Sequence, residues 1–250
     1  MSDSPLTYLD GPNGRLAYQK VDGAGPTVVW LGGFKSDMSG TKATHLDEWA
    51  RQRDRAFLRF DYSGHGRSEG AFEDGCISDW TSDALAVIDA ATDGPLILVG
   101  SSMGGWVATL LAPKLADRLA GVVFIAPAPD FTEELMWPSL SEELRDAIMN
   151  DGKIEQASDY SDDPTIVTKK LIEDGRNNLV LDGPIVINAP VRILQGMADP
   201  DVPFTHALKL AEKLTSKDVM IGLTKAGDHS LSEPEDLLRL TAALFSIGGT

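Results

Sequence analysis

Gly100-Ser101-Ser102-Met103-Gly104 holds the residue of this chain best suited to act as a nucleophile. The segment matches G-x-S-x-G, follows the apolar run Leu96-Ile97-Leu98-Val99 and opens a helical stretch. In that strand–turn–helix setting the serine occupies a strained turn with its hydroxyl exposed, so the residues two before and two after it must be small. Gly100 and Gly104 meet that demand. A hydroxyl is a weak nucleophile at neutral pH and needs a general base, which in turn needs an orienting acid. The chemistry on offer is attack by Ser102 on an acyl carbon.

For such a serine the acid and then the base follow in the chain. Two histidines lie beyond Ser102. His206 falls inside the helical pattern Phe204 to Leu214, whereas His229 lies in the loop Ala226-Gly227-Asp228-His229-Ser230 after the last strand signal. His229 is the expected base. The acid belongs after the strand Val191 to Leu194, where Asp199-Pro200-Asp201-Val202-Pro203 offers two carboxylates. Asp199 has the spacing expected of the acid, and Asp201 is expected to cap the following helix. Asp228, beside the histidine, is the remaining candidate. The developing oxyanion needs two backbone N–H donors. Met103, at the start of the helix after the nucleophile, and Phe34, after Gly32-Gly33, are expected to supply them.

Other clusters read more plainly. Asp61-Tyr62-Ser63-Gly64-His65-Gly66-Arg67-Ser68 reads as a tightly folded loop at the pocket rim. Gly100, Gly104 and Gly105 also form G-x-x-x-G-G, but a dinucleotide site would need an acid at the end of the next strand. That strand ends Phe124-Ile125-Ala126-Pro127. No H-e-x-x-H or C-x-x-C pattern occurs, so neither metal nor cofactor is indicated.

The elements that must position these groups alternate along the chain. Strand signals cover Leu16 to Val21, Pro26 to Leu31, Arg55 to Phe60, Leu96 to Val99, Gly121 to Ile125, Val191 to Leu194 and Val219 to Leu223. Helical patterns cover Ala43 to Gln52, Trp80 to Ala91, Trp106 to Leu115, Phe204 to Leu214 and Glu235 to Phe245. Gly23 and Gly25 suggest a hairpin or tight connection between the first two strands. The repeated alternation predicts an α/β fold with a mostly parallel sheet covered by helices on both faces. Residues 127–187 interrupt it and predict a helical lid inserted in a single domain of residues 1–250. Ser141 caps one expected lid helix, to Asn150, and Asp163-Pro164 starts another, to Asp174. Phe131, Leu135, Met136 and Trp137 open the insertion as a candidate acyl pocket.

Composition narrows the function further. With 250 residues, 42% of them hydrophobic and 24% charged, the chain is long enough to bury a large core. A formal net charge of −16 disfavours nucleic acid and anionic membrane surfaces. No apolar run reaches the roughly 18 residues of a membrane span. The single cysteine, Cys76, excludes an intrachain disulfide and fits a reducing compartment. Met1-Ser2-Asp3-Ser4-Pro5 resembles neither a signal nor a transit peptide, so a cytoplasmic location is expected.

Gly64-His65-Gly66-Arg67-Ser68, Gly100 to Gly105, Asp199-Pro200-Asp201-Val202-Pro203 and Asp228-His229 together resemble the serine α/β-hydrolase superfamily. Gly40-Thr41-Lys42-Ala43, Arg59 to Gly64 and Asp93 to Ser102 are similar to its palmitoyl-protein thioesterase and acyl-glucuronide esterase group, bacterial members included. The resemblance runs from about Arg15 to Phe245. It implies that Ser102, Asp199 and His229 are nucleophile, acid and base, with depalmitoylation and glucuronide-ester cleavage as candidate reactions on a small-molecule or protein-linked acyl ester or thioester; a monomer or homodimer is expected. The other readings are C–C bond hydrolysis or acyl transfer on the same scaffold, and a non-catalytic binding protein.

Overall fold

The computed structural model describes residues 4–156 and 164–248. In chain order the elements are β1 (Thr7–Gly11), β2 (Gly14–Val21), β3 (Ala24–Leu31), α1 (Thr41–Gln52), β4 (Arg55–Phe60), α2 (Ile77–Ala91), β5 (Leu96–Ser101), α3 (Met103–Leu111) and β6 (Leu119–Ile125). There follow a π-helical turn at Thr132–Met136, α4 (Trp137–Ser139), α5 (Glu142–Asp151), β7 (Lys153–Gln156), β8 (Thr165–Thr168), α6 (Lys169–Asn177), β9 (Val191–Gly196), α7 (Phe204–Lys213), β10 (Val219–Thr224) and α8 (Pro234–Gly248). Among the described residues the main sheet runs β1-β2-β4-β3-β5-β6-β9-β10. From β4 to β10 all neighbours are parallel; β1 and β2 join antiparallel at one edge.

A strand buried on both faces sends alternate side chains to opposite layers. Val29, Leu31, Leu96, Leu98, Val122 and Phe124 enter the core that includes α2 and α3. Their neighbours Val28, Trp30, Ile97, Val99, Val123 and Ile125 enter the core beneath α1 and α8. Each such side chain contributes roughly 1.5–3 kcal/mol when fully buried. The central strands therefore form a rigid base, and Ser102 stands at the carboxyl end of one of them.

Three local expectations change. β2 and β3 do not form a hairpin: β4 lies between them, antiparallel to β2 and parallel to β3. The hairpin is instead β1 with β2, an edge pair whose first strand is mostly exposed and lacks the apolar run that marks the central strands. The helix after the nucleophile starts at Met103 and ends at Leu111, not at Trp106 and Leu115. In the insertion, Thr165-Ile166-Val167-Thr168 is a strand paired with β7, as its β-branched residues favour. α6 then starts at Lys169, with the Thr168 hydroxyl accepting from the Leu171 N–H at 3.1 Å. Asp163, the expected cap, lies outside the described residues. The Ser141 cap on α5 is present, its hydroxyl accepting from the Leu144 N–H at 3.3 Å.

The segment between β6 and β9 is closed at its base by its own residues and tied farther along to α2 and the turn before it. The buried Asp130 carboxylate accepts from the N–H groups of Val180, at 2.9 and 3.0 Å, and Leu181, at 2.7 Å. Asp174 of α6 accepts from the Ser78 N–H in the first turn of α2 at 2.9 Å, satisfying one of the donors a helix start leaves open. Lys170 reaches Asp79 at 2.7 Å, and Lys153 pairs with Glu73. Phe131, next to Asp130, packs on Phe34 beyond β3 and on Trp106 of α3, the helix that Ser102 precedes.

Candidate active site

Ser102 joins β5 to α3 with φ 53° and ψ −119°, a conformation side chains rarely adopt. Such strain costs about 1–3 kcal/mol and persists only where its surroundings hold it. Here the Ser102 N–H donates to the Ile125 carbonyl at 2.9 Å, and the Ser102 carbonyl accepts from Gly105 at 2.8 Å and Ala128 at 3.1 Å. The small neighbours are required by contact. A Cβ on Gly104 would overlap the Leu31 carbonyl oxygen and stand 2.6 Å from that of Gly32, and one on Gly100 would strike the Gly104 backbone.

His229 Nε2 lies 3.0 Å from Ser102 Oγ, and its Nδ1 lies 2.8 Å from Asp199 Oδ2. An ionised carboxylate only accepts, so Nδ1 carries the proton and Nε2 presents its lone pair to the Ser102 hydroxyl. The Asp199 side chain is fully buried and that of His229 is 18% exposed. Burial works against ionising Asp199, but the His229 ring and the N–H groups of Val202 and Asp201 outweigh it and hold the carboxyl below its usual range. Both N–H groups donate to Asp199 Oδ1 at 2.9 Å. Gln195, whose Nε2 donates to Asp199 Oδ2 at 3.1 Å, is a contact that sequence reasoning missed. Its one signal is its place at the end of β9, just before the acid loop. The closest approach to a metal-ligand cluster among the described residues is Asp199, Asp201 and His229, within 4.8 Å of one another. Both ring nitrogens of His229 are already engaged, by Asp199 and by Ser102.

The other candidates have structural partners. His206 sits in α7 with Nε2 2.7 Å from the Pro129 carbonyl. Asp228 braces its own loop by accepting from the Leu231 N–H at 2.9 Å. Asp201 does not cap α7: Pro203 stands at the N-cap and no side chain bonds there, because the turn folds back onto Asp199 instead. The Cys76 thiol lies 3.1 Å from Asp79, and burial pushes it up to about 12, which removes its thiolate at neutral pH.

Met103 is the first residue of α3, where N–H groups have no partner within the helix. Gly33 stands against the nucleophile, since a Cβ there would lie 3.4 Å from Ser102 Cβ. The Gly33 carbonyl accepts from the Ser36 N–H at 3.2 Å and the Ser36 hydroxyl at 2.8 Å. In a trans peptide the N–H points opposite to the carbonyl, so the Phe34 N–H is directed out of that turn. The Phe34 ring packs on Phe72 at 4.8 Å, Phe131 at 5.5 Å and Trp80 at 5.9 Å between centroids. Phe131 also meets Trp106 at 5.6 Å. Met136 bridges the main core and the insertion's own cluster, while Trp137 packs in that cluster with the Arg145 and Arg176 guanidinium groups over its ring.

His65, in the glycine-rich loop, is buried against Tyr62, Phe72 and Trp80, with Nδ1 3.1 Å from the Ser63 carbonyl. Burial lowers its pKa from 6.5 to about 4. The unfolded chain therefore takes up this proton first, and stability falls as pH drops from about 6.5 to about 4, by roughly 3 kcal/mol in all. Asp61, Asp83 and Asp130, held above their usual range mainly by burial, act with the opposite sign. His65→Phe is expected to flatten the fall in denaturation free energy over that window; an unchanged slope would place the loss elsewhere.

Residues 26–177 match the family described as serine aminopeptidase, S33 (Hydrolase_4). The human palmitoyl-protein thioesterase ABHD10, mitochondrial, is 35% identical over 234 residues, 93% of this chain and 76% of the human one. The structure of alpha/beta hydrolase domain-containing protein 10 from mouse has a TM-score of 0.89 at 31% identity, covering 97% of this chain and 98% of that one. A protein of Agrobacterium vitis S4 reaches a TM-score of 0.93 at 46% identity, covering 97% and 98%. Among the described residues no helix is long and apolar enough to cross a membrane.

Proposed function

The chain belongs to the α/β-hydrolase family described as serine aminopeptidase, S33, and from that premise we propose that it is a serine hydrolase of acyl esters or thioesters working through an acyl-enzyme on Ser102. The observation that carries this reading is the continuous hydrogen-bonded chain from Ser102 Oγ through His229 to the buried Asp199. As Ser102 Oγ bonds to the acyl carbon, its proton passes to His229 Nε2. The imidazolium so formed is stabilised by Asp199, and the N–H groups of Phe34 and Met103 receive the oxyanion. His229 then gives the proton to the departing alcohol or thiol oxygen or sulfur. A water molecule gives a proton to His229 as its oxygen attacks the acyl-serine; the acyl C–Oγ bond then breaks, His229 returns the proton to Ser102 Oγ, and the carboxylic acid leaves.

Thioesterase-named relatives favour an acyl thioester among the substrates. A fluorophosphonate probe is expected to label the wild-type protein at Ser102 and to leave Ser102→Ala unlabelled. A panel of p-nitrophenyl esters, acyl-CoAs and a 1-O-acyl glucuronide then ranks the leaving groups; turnover of none of them would reject the hydrolase reading.

The acyl side is walled by Phe34, Phe131 and Met136, with Trp137 backing Met136 in the insertion. Burying a methylene gains about 0.8 kcal/mol, so each one seated in the pocket raises kcat/KM by roughly fourfold. Octanoyl esters are accordingly expected to be cleaved faster than acetyl esters. Phe131→Ala flattens that dependence while sparing acetyl turnover, and Trp137→Ala does so less steeply. An acetyl preference indifferent to both substitutions would remove the acyl-pocket assignment and leave the hydrolase intact.

A further inference from the structure

We propose that Lys42 is a positioning residue of this site, its side-chain amine clamping the loop that presents His229; the inference rests on reading Ser102 and His229 as nucleophile and base. The loop after β10 has little regular structure to hold it. Gly227 is tied by its N–H to the Thr224 carbonyl at 3.0 Å and by its own carbonyl to the Ala198 N–H at 3.0 Å. Beyond His229 the backbone is strained, with φ 44° at Leu231, whose side chain is buried under α8. Between these anchors stands Ser230, the residue next to His229. Its carbonyl accepts from Lys42 Nζ and, at 3.1 Å, from the Ser232 hydroxyl. Ser232 Oγ is also 3.5 Å from Nζ.

Lys42 is the second residue of α1, a position from which a lysine ordinarily extends into water. Instead its amine reaches the Ser230 carbonyl, and the residue lines a small cavity together with Ile125, Leu194, Leu231 and Leu240. Two carboxylates face the amine, Asp228 in the His229 loop and Asp236 in α8; Asp236 is also paired with Arg239 at 2.7 Å. On α1 itself the neighbouring titratable group is His45, one turn on. The contact joins the start of α1 to the His229 loop across 188 positions of the chain.

Burial, opposed by Asp228 and Asp236, lowers the Lys42 pKa from 10.5 to about 8. Below that pH three N–H donors and a positive charge hold the loop. Above it the charge and one donor are lost, and His229 is held less firmly against Ser102. Lys42 touches no substrate, so the loss falls on kcat and leaves KM unchanged.

The test measures blank-corrected ester hydrolysis from pH 6 to 10, with fluorophosphonate labelling rates in parallel, on the full chain. The wild type is expected to lose kcat above pH about 8. Lys42→Met should lower kcat at pH 7 by about 10-fold or more with KM unaltered, as expected when a hydrogen bond from a charged group is removed. Lys42→Arg, whose guanidinium stays charged throughout, should recover most of kcat at pH 7 and show no alkaline loss near 8. A Lys42→Met protein with wild-type kcat, or a Lys42→Arg protein that keeps the same alkaline limb, overturns the proposal; the second outcome decides even if Lys42→Met does not fold. If Ser102→Ala keeps its turnover and labelling, the reading of the site itself fails. If Ser102→Ala is inactive and the Lys42 variants behave as wild type, only the positioning role fails.

Discussion

Ser102→Ala is expected to cut kcat by roughly 10⁴–10⁶-fold, and His229→Ala by a similar amount, because the two act in one proton-transfer step. The 3.0 Å contact between His229 Nε2 and Ser102 Oγ is the physical basis of that coupling. Once either partner is gone the other has nothing to activate or accept from. The double variant should therefore be hardly slower than either single one, whereas independent contributions would multiply. Stopped assays on the three purified proteins with one activated ester decide between these outcomes. The fold should survive, since the backbone bonds of residue 102 to Ile125, Gly105 and Ala128 do not use the hydroxyl. Ser102→Gly gives a second reading of the same turn. It should be equally inactive yet melt higher than Ser102→Ala, because glycine adopts φ 53° without steric cost. Multiplicative losses in the double variant would separate His229 from the nucleophile.

How far this arrangement was legible before the fold was known depends on the range of each interaction. Arg55–Phe60 reads correctly at both ends because its apolar residues Ala56, Phe57, Leu58 and Phe60 are buried and polar residues at Asp54 and Asp61 bound it. Thr7–Gly11 escapes notice because an edge strand paired on one side has no apolar run to announce it. Gly23 and Gly25 mark a sharp connection, but which strand then intervenes is decided by β4, some thirty residues later. At Thr165–Thr168 an apparent helix start, Asp163-Pro164, competes with a β-branched run, and pairing with β7 decides for the strand. Ser102, Asp199 and His229 are legible by residue type and chain order, which local patterns carry. Gln195 and Lys42 are not, because what gives each its place is a contact made only when distant loops meet.

Asp199→Asn is expected to lower kcat by on the order of 10²-fold or more while leaving the protein folded. The substitution keeps the shape of the side chain and can still accept at Oδ1 from Asp201 and Val202. What it removes is the charge beside His229 Nδ1, at 2.8 Å in a fully buried setting. An amide there can turn its NH₂ toward the ring, which places the imidazole proton on Nε2 and leaves no lone pair for the Ser102 hydroxyl. Gln195 Nε2, which donates to Oδ2 at 3.1 Å, opposes that orientation, because it would then face a donor. Gln195→Leu on the Asp199→Asn background should therefore deepen the loss. Asp201→Asn is the control. Its N–H supports Asp199 through the backbone, which the substitution leaves in place, so kcat should fall by less than a few-fold. A reversed pair of effects would make Asp201 the acid and leave Asp199 as the residue that shapes the turn.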